Sequence, residues 1–213
     1  ISLTAKFTTP VIADDLRLLT RPVSYLEVSY KSLDGKKHDV SVNVAAGEEL
    51  CLDEAWQNDV ETQAVSVGNL IGLRMGNTEQ KPLYRSGDDV RIDWGYFCLM
   101  SDSPKAKAEV SEIWSQTYIN VSSDIDESER LIYYFAYDDI ESMEYFGKHL
   151  KSYWNKDGQT ILEAISEAAG EYDEVMSRCK EFSDKLYADA FAAGGEKYAE
   201  ILSLAYRQVM AAH

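Results

Sequence analysis

The chain has 213 residues, enough to bury a core in one generous domain or two small ones. Hydrophobic residues make up 45% and charged residues 27% of it, the balance of a globular protein, and no apolar run approaches the roughly 18 residues needed to span a bilayer. With 21 Lys and Arg against 37 Asp and Glu the net charge is −16. Such a surface repels phosphate backbones and anionic lipid heads, so neither nucleic acid nor a membrane is an expected partner.

The first residues already alternate (Leu3, Ala5, Phe7), which predicts a strand over Ile1–Thr9 stopped by Pro10. A helical pattern is still running at Ala211–His213, so a piece of a longer protein is the expectation. Asp14–Thr20 reads as a short connector, and Arg21–Pro22 as an extended entry to the next strand. Leu26, Val28 and Tyr30 alternate with polar residues, as do Val40, Val42 and Val44. Asp34–Gly35 between them predicts a β-hairpin, because that pair accepts the positive φ of a tight turn. Gly47–Asp59 reads as a loop. Val60–Val67 and Leu70–Met75 read as strands joined at Gly68–Asn69, and Ser86–Asp89 as a turn.

Val90 to Met100 is the next predicted strand, apolar on both faces at Phe97–Leu99 and therefore central in its sheet. Ser101–Lys107 is a loop, Glu109–Val121 favours a strand, and Ser122–Glu129 is a charged link. Arg130–Tyr137 is expected to close the sandwich. At Asp138 the period changes. Asp138 and Glu141 suit a capping box, so a short helix is expected up to Gly147, with irregular or helical chain to Trp154. Ile165, Ala168, Tyr172, Val175, Cys179, Phe182 and Leu186 form an apolar stripe of helical period. It predicts helices near Thr160–Ala169 and Tyr172–Ala192, then a break at Gly194–Gly195. A last helix presents Tyr198, Ile201, Leu202, Ala205 and Val209. The fold class is α+β, an antiparallel β-sandwich followed by an antiparallel α-helical segment, divided into regions 1–137 and 138–213.

Motifs of known chemistry are sparse. Cys51, Cys98 and Cys179 lie far apart, forming neither a disulfide framework nor a zinc site. There is no G-x-S-x-G, H-E-x-x-H or phosphate-cradling glycine loop. His38, beside the Asp34–Gly35 turn, reads as solvated. Asp124, Asp126, Glu127 and Glu129 resemble the start of a calcium loop, but Glu129 stands where the glycine belongs and Phe135 where the bidentate glutamate belongs. No metal or cofactor is expected.

Asp138 and Asp139 fall where a strand ends among aromatics. Paired carboxylates can divide acid and base roles if burial separates their pKa values; a helix cap with an ion pair explains them as well. Tyr133, Tyr134, Phe135, Tyr137, Tyr145, Phe146, Tyr153 and Trp154 either line a sugar-binding face or fill the contact of a sheet with helices. Glu196 follows Gly194–Gly195 at a helix start, where exposed amides attract anions or the turn is simply a cap.

Four stretches, Leu19–Val42, Gly87–Tyr96, Ala136–Trp154 and Gly194–His213, together resemble the secreted fungal-type glutaminase family, which has bacterial members. The resemblance implies a longer, extracytoplasmic (secreted or periplasmic) protein in which a β-sandwich leads into an α/α toroid, with this chain holding the end of the first and the start of the second. It implies hydrolysis of L-glutamine to L-glutamate and ammonia, with the rest of the site outside this chain and the chain alone inactive. Asp138, Asp139, Glu196 and Arg207 stand in the most family-like stretches and are the candidate site residues. A glycoside hydrolase-like protein, or a non-catalytic scaffold or binding module, is the alternative. Helices lacking toroid neighbours would expose apolar stripes, so a homo-oligomer through those faces is also an expectation.

Overall fold

The computed structural model describes residues 1–54, 56–88 and 90–211. The expected turn at Ser86–Asp89 ends on Asp89, and the last helical pattern on Ala212 and His213, which lie outside the described residues. Packing divides the chain into two compact units, residues 1–9 with 22–169 and residues 10–21 with 170–213.

The first unit is an antiparallel two-sheet sandwich. Strands β1 (Ser2–Thr8), β2 (Val23–Lys31), β4 (Val60–Val67), β5 (Leu70–Asn77), β6 (Tyr96–Ser101) and β9 (Leu131–Asp138) form one sheet in the order β1-β2-β9-β6-β5-β4. Strands β3 (Val40–Gly47), β7 (Lys107–Ile113) and β8 (Gln116–Ile125) form the other, in the order β3-β8-β7. Alternation assigns each side chain to a face. Leu26, Leu73, Met75, Phe97, Leu99, Leu131 and Tyr133 of the large sheet meet Ala46, Ile119, Val121 and Ile125 of the small one. The buried Tyr133 hydroxyl donates to the Val42 carbonyl at 3.1 Å, and burial pushes that phenol up to about 12.

The middle of the large sheet is buried on its other face too. There Tyr25 meets Tyr134 edge to face with centroids 5.7 Å apart, and the Tyr25 hydroxyl donates to the Ala168 carbonyl at 3.5 Å. Ala168 belongs to helix α2 (Ile161–Gly170), whose buried Ile161, Ala164, Ile165 and Ala168 fall at helical spacing. Thr160 and Glu163 form its capping box: Thr160 N–H donates to Glu163 Oε2 at 2.8 Å, and Glu163 N–H to Thr160 Oγ1 at 3.3 Å. Cys51 and Cys98 are fully buried free thiols, pushed up to about 11 and about 12 by desolvation.

Several expectations change. Asp34–Gly35 does not close a hairpin, for β2 pairs with β1 and β9 while β3 pairs with β8 in the opposite sheet. The loop between them is a sheet-to-sheet corner, folded on Asp34. His38 Nε2 lies 2.8 Å from its Oδ1, which also accepts from the Lys36 N–H at 3.1 Å and Ser32 Oγ at 3.0 Å, and these bonds lower the carboxyl to about 2. The two-residue hairpin turns are instead at Gly68–Asn69, as expected, at Trp114–Ser115, where both residues have positive φ (53° and 63°), and at Phe146–Gly147.

Strand β6 starts only at Tyr96, and β9 does not close the sandwich but sits centrally between β2 and β6. No helix forms over 138–147. Positive φ at Ile140 (59°), Phe146 (48°) and Gly147 (72°) forbids one, and β10 (Met143–Tyr145) pairs with β11 (Lys148–Leu150) in a small ribbon.

The second unit contains helix α1 (Leu16–Thr20) and helix α3 (Tyr172–Ala211), the latter broken at Gly195 (φ 77°, ψ −173°) into arms 172–194 and 196–211. The rings of Phe182 and Tyr206 lie 5.2 Å apart although they sit on different arms, so the chain reverses at the break and the arms run antiparallel. Ala190 and Ala199 are buried where the arms are nearest the turn, while Tyr198, Ile201, Leu204 and Val209 are exposed. The inner face of the last arm is thus rotated from the one expected. Residues 10–21 are a clasp. Asp15 caps α1 at the Leu18 N–H (3.0 Å) and pairs with Arg178 (2.8 Å), Arg21 pairs with Glu171 (2.9 Å), and the Tyr206 hydroxyl donates to the Val11 carbonyl (2.7 Å).

Candidate functional site

Two of the family-like stretches, residues 87–96 and 136–154, meet in the first unit where β6 begins and β9 ends, with Tyr96 opposite Asp138. Gly95 makes the junction possible. Its φ is +88°, and a Cβ there would lie 2.2 Å from the Asp138 carbonyl oxygen. Trp94 follows the chain across. Its indole N–H donates to the Asp139 carbonyl at 2.8 Å and the Glu141 carbonyl at 3.3 Å, and its own carbonyl accepts the Tyr137 hydroxyl at 2.7 Å. Burial, with the carboxylates nearby, raises the Tyr137 phenol far above its usual range.

Asp93, beside Trp94, is 2% exposed. Its Oδ2 accepts from Gln57 Nε2 (2.6 Å), the Tyr84 hydroxyl (2.8 Å) and Arg85 (3.2 Å), and its carbonyl accepts from Asn77 Nδ2 (2.8 Å). Arg85 also pairs with Asp53 at 2.8 Å. The Arg91 N–H and the Arg85 guanidinium hold the Asp53 carboxyl below its ordinary value.

Asp138 and Asp139 have different surroundings. Asp138 Oδ1 accepts from the Ile140 N–H at 3.1 Å, an Asx turn that ends the strand, rather than a helix cap. Burial raises the Asp139 carboxyl above its ordinary value; the Ser142 hydroxyl partly offsets this and the Asp138 charge adds to it. Oδ1 of Asp139 and Oδ1 of Asp93 are both enclosed without a hydrogen-bond partner among the described residues. Glu141 contacts His149 Nδ1 at 2.5 Å. The arrangement sets carboxylates of different solvation beside buried aromatic side chains, with the Asp139 carboxyl raised by its burial. Among the described residues no group of three or more His, Cys, Asp or Glu is placed to hold a metal ion.

The aromatic cluster splits. Tyr133, Tyr134 and Trp154 are core, while Tyr145, Phe146 and Tyr153 are exposed on and after the β10–β11 ribbon. Glu196 and Arg207 belong to the second unit, where both are exposed on the second arm of α3 about three turns apart.

A family model described as a domain of unknown function, DUF5127, matches residues 1–122 and 115–189. The chain belongs to the DUF5127 family. The match takes in the whole sandwich and α2, so Asp93, Asp138 and Asp139 lie within the DUF5127 region and Glu196 and Arg207 beyond it. The chain is also similar to glutaminase A of Aspergillus oryzae (strain ATCC 42149 / RIB 40), 25% identical over 246 residues. That alignment covers 100% of this DUF5127 chain and 35% of the fungal protein, so the chain spans about a third of its relative's length.

Asp93, Gln57, Tyr84 and Arg85 were not separable in the sequence. Asp93 sits on the polar side of an apparent alternation, Val90, Ile92, Trp94, Tyr96, and so reads as a solvated strand residue. The one signal was Gly95, which no strand interior favours.

Proposed function

We propose that this chain is the sandwich and first helices of a longer extracytoplasmic amidohydrolase that converts L-glutamine to L-glutamate and ammonia. The observation that carries the reading is the likeness to glutaminase A along the entire chain. The Asp93–Trp94–Asp139 junction contributes a wall of the site. Amide hydrolysis needs an activated nucleophile and donors for the developing oxyanion, and in this reading those come from polypeptide outside these residues. The 213-residue chain alone is inactive, and it self-associates through the exposed apolar side chains of α3.

Ammonia release from L-glutamine by the intact gene product tests the reading. Turnover by the intact protein and none by the 213-residue chain is the expected result. Loss of turnover in Asp139→Asn, with the fold unchanged by circular dichroism, places that carboxyl in the site; undiminished turnover removes Asp139 from it. Cleavage of oligosaccharides with no ammonia from glutamine overturns the proposal in favour of a glycoside hydrolase.

A further inference from the structure

On the inner face of the large sheet, the edge strand β1 leaves large apolar side chains uncovered. In the β1–β2 register Leu3 faces Tyr30, Ala5 faces Val28 and Phe7 faces Leu26. Directly opposed residues of an antiparallel pair point to the same side, so Leu3, Ala5 and Phe7 share the face on which Leu26, Val28 and Tyr30 join the sandwich core. Those three β2 side chains are buried, yet Leu3 is 55% and Phe7 73% exposed. Apolar side chains on the core side of a sheet thus stand in solvent.

The small sheet explains the gap. Its β7 and β8 lie against β5 and β6. At its other end Val42 of β3 is reached by Tyr133 of β9, and the His38 carbonyl just before β3 accepts from the Tyr30 hydroxyl of β2 at 3.3 Å. The three strands therefore run across the large sheet from β5 toward β2 and stop one strand short of β1. Among the described residues β3 is an end strand, with no pairing on that side. Neighbouring strands lie about 4.8 Å apart, so the unfilled place beside β3 lies over β1. A free backbone edge and an uncovered apolar face ask for the same object.

We infer that one further β-strand, supplied by polypeptide outside these 213 residues, adds to the free edge of β3 and covers Leu3, Ala5 and Phe7. The occupant is an extended segment with apolar residues at alternate positions facing β1 and polar ones facing water. Backbone pairing with β3 supplies the affinity and the alternate side chains the register. The length of the fungal relative beyond the 35% aligned here leaves ample chain to provide it. The inference concerns the sandwich alone and stands whether or not the protein hydrolyses glutamine.

Thiol labelling of Phe7→Cys in a Cys179→Ser background, where Cys51 and Cys98 are buried, tests it together with amide exchange over residues 40–47. Both are measured in the 213-residue chain and in the intact gene product. Phe7→Cys labels rapidly in the short chain and at least tenfold more slowly in the intact protein, and the outward amides of β3 slow with it. Trp114→Cys, at an exposed turn, reports general access. Equal Phe7→Cys rates in the two proteins overturn the inference. So does slowing of Phe7→Cys without protection of β3, since the cover is then not a strand on that edge. Protection that grows with the concentration of the short chain assigns the place to a second copy and overturns it as well.

Discussion

The two compact units are held by different means. In residues 1–9 and 22–169, nearly every strand has a register-matched neighbour, and the apolar side chains of two sheets close on each other. In residues 10–21 and 170–211, two helical arms are clasped by a short segment through three named polar contacts. Order in the first is spread over many small apolar terms; order in the second is concentrated in a few side chains. A core truncation should therefore be felt throughout the sandwich, and a broken tie only around the clasp.

Tyr133→Ala should show the first kind of failure at its largest. The side chain is fully buried between the sheets, and removing an aromatic there costs about 4 kcal/mol through lost burial and a cavity. Urea titration followed by strand circular dichroism measures it. Tyr133→Phe removes only the hydroxyl bonded to Val42, about 1 kcal/mol. Comparable losses from the two variants would show that the polar contact, and not the packing, governs this unit.

Gly95→Ala comes next, at about 3 kcal/mol, because it adds a clash with the Asp138 carbonyl to a φ that side chains avoid. The damage is confined to the β6–β9 junction, so the Trp94 environment should change in fluorescence while amide protection in β1–β2 persists. Arg21→Met tests the other unit. The Arg21 side chain is 3% exposed and its partner Glu171 43%. Losing a charged hydrogen bond to a half-solvated partner costs about 2 kcal/mol. Faster proteolysis within residues 10–21, with the sandwich amides unchanged, is the expected pattern; loss of sandwich protection would erase the contrast between the units.

Local periodicity carried most of the strand assignments, because a half-buried strand must alternate. The strand expected over residues 60–67 came out, and the one expected over 70–75 runs on to 77, with the turn between them in place. What periodicity lacks is any record of which strands are neighbours. Asp34–Gly35 has hairpin chemistry, yet the same positive φ and the same Asp34 bonds serve a corner between sheets. Asp138 with Glu141 has the spacing of a capping box, as do Thr160 and Glu163, and only the second pair starts a helix. The difference lies in the backbone that follows, where Ile140 and Phe146 stand at positive φ and no helix can run. The clasp of residues 10–21 was illegible for a related reason. Its partners Glu171, Arg178 and Tyr206 stand some 150 to 195 residues away, and no local rule connects them. Asp138 and Asp139 could be noticed because they end a strand, whereas Asp93 was hidden by mimicking one.

The smallest effect should come from Asp139→Asn, and its sign is opposite to the others. Burial raises this carboxyl in the folded chain, so folding is opposed by its charge. That opposition is absent at pH values below its unfolded value, where both states carry the proton, and is complete above the raised folded value. An amide is never charged. Asp139→Asn should therefore stabilise the chain at pH 7, by about 1 kcal/mol for relief of one poorly satisfied buried group, and the gain should fade as the pH falls through the raised folded value and be gone below about 4. Asp139→Ala removes the acceptor for Ser142 too and should recover less. A destabilised Asp139→Asn at neutral pH would mean that the charge is matched where it stands. The junction of β6 and β9 would then be as fully satisfied as the rest of the sandwich, and the case for Asp139 as a proton donor would go with it.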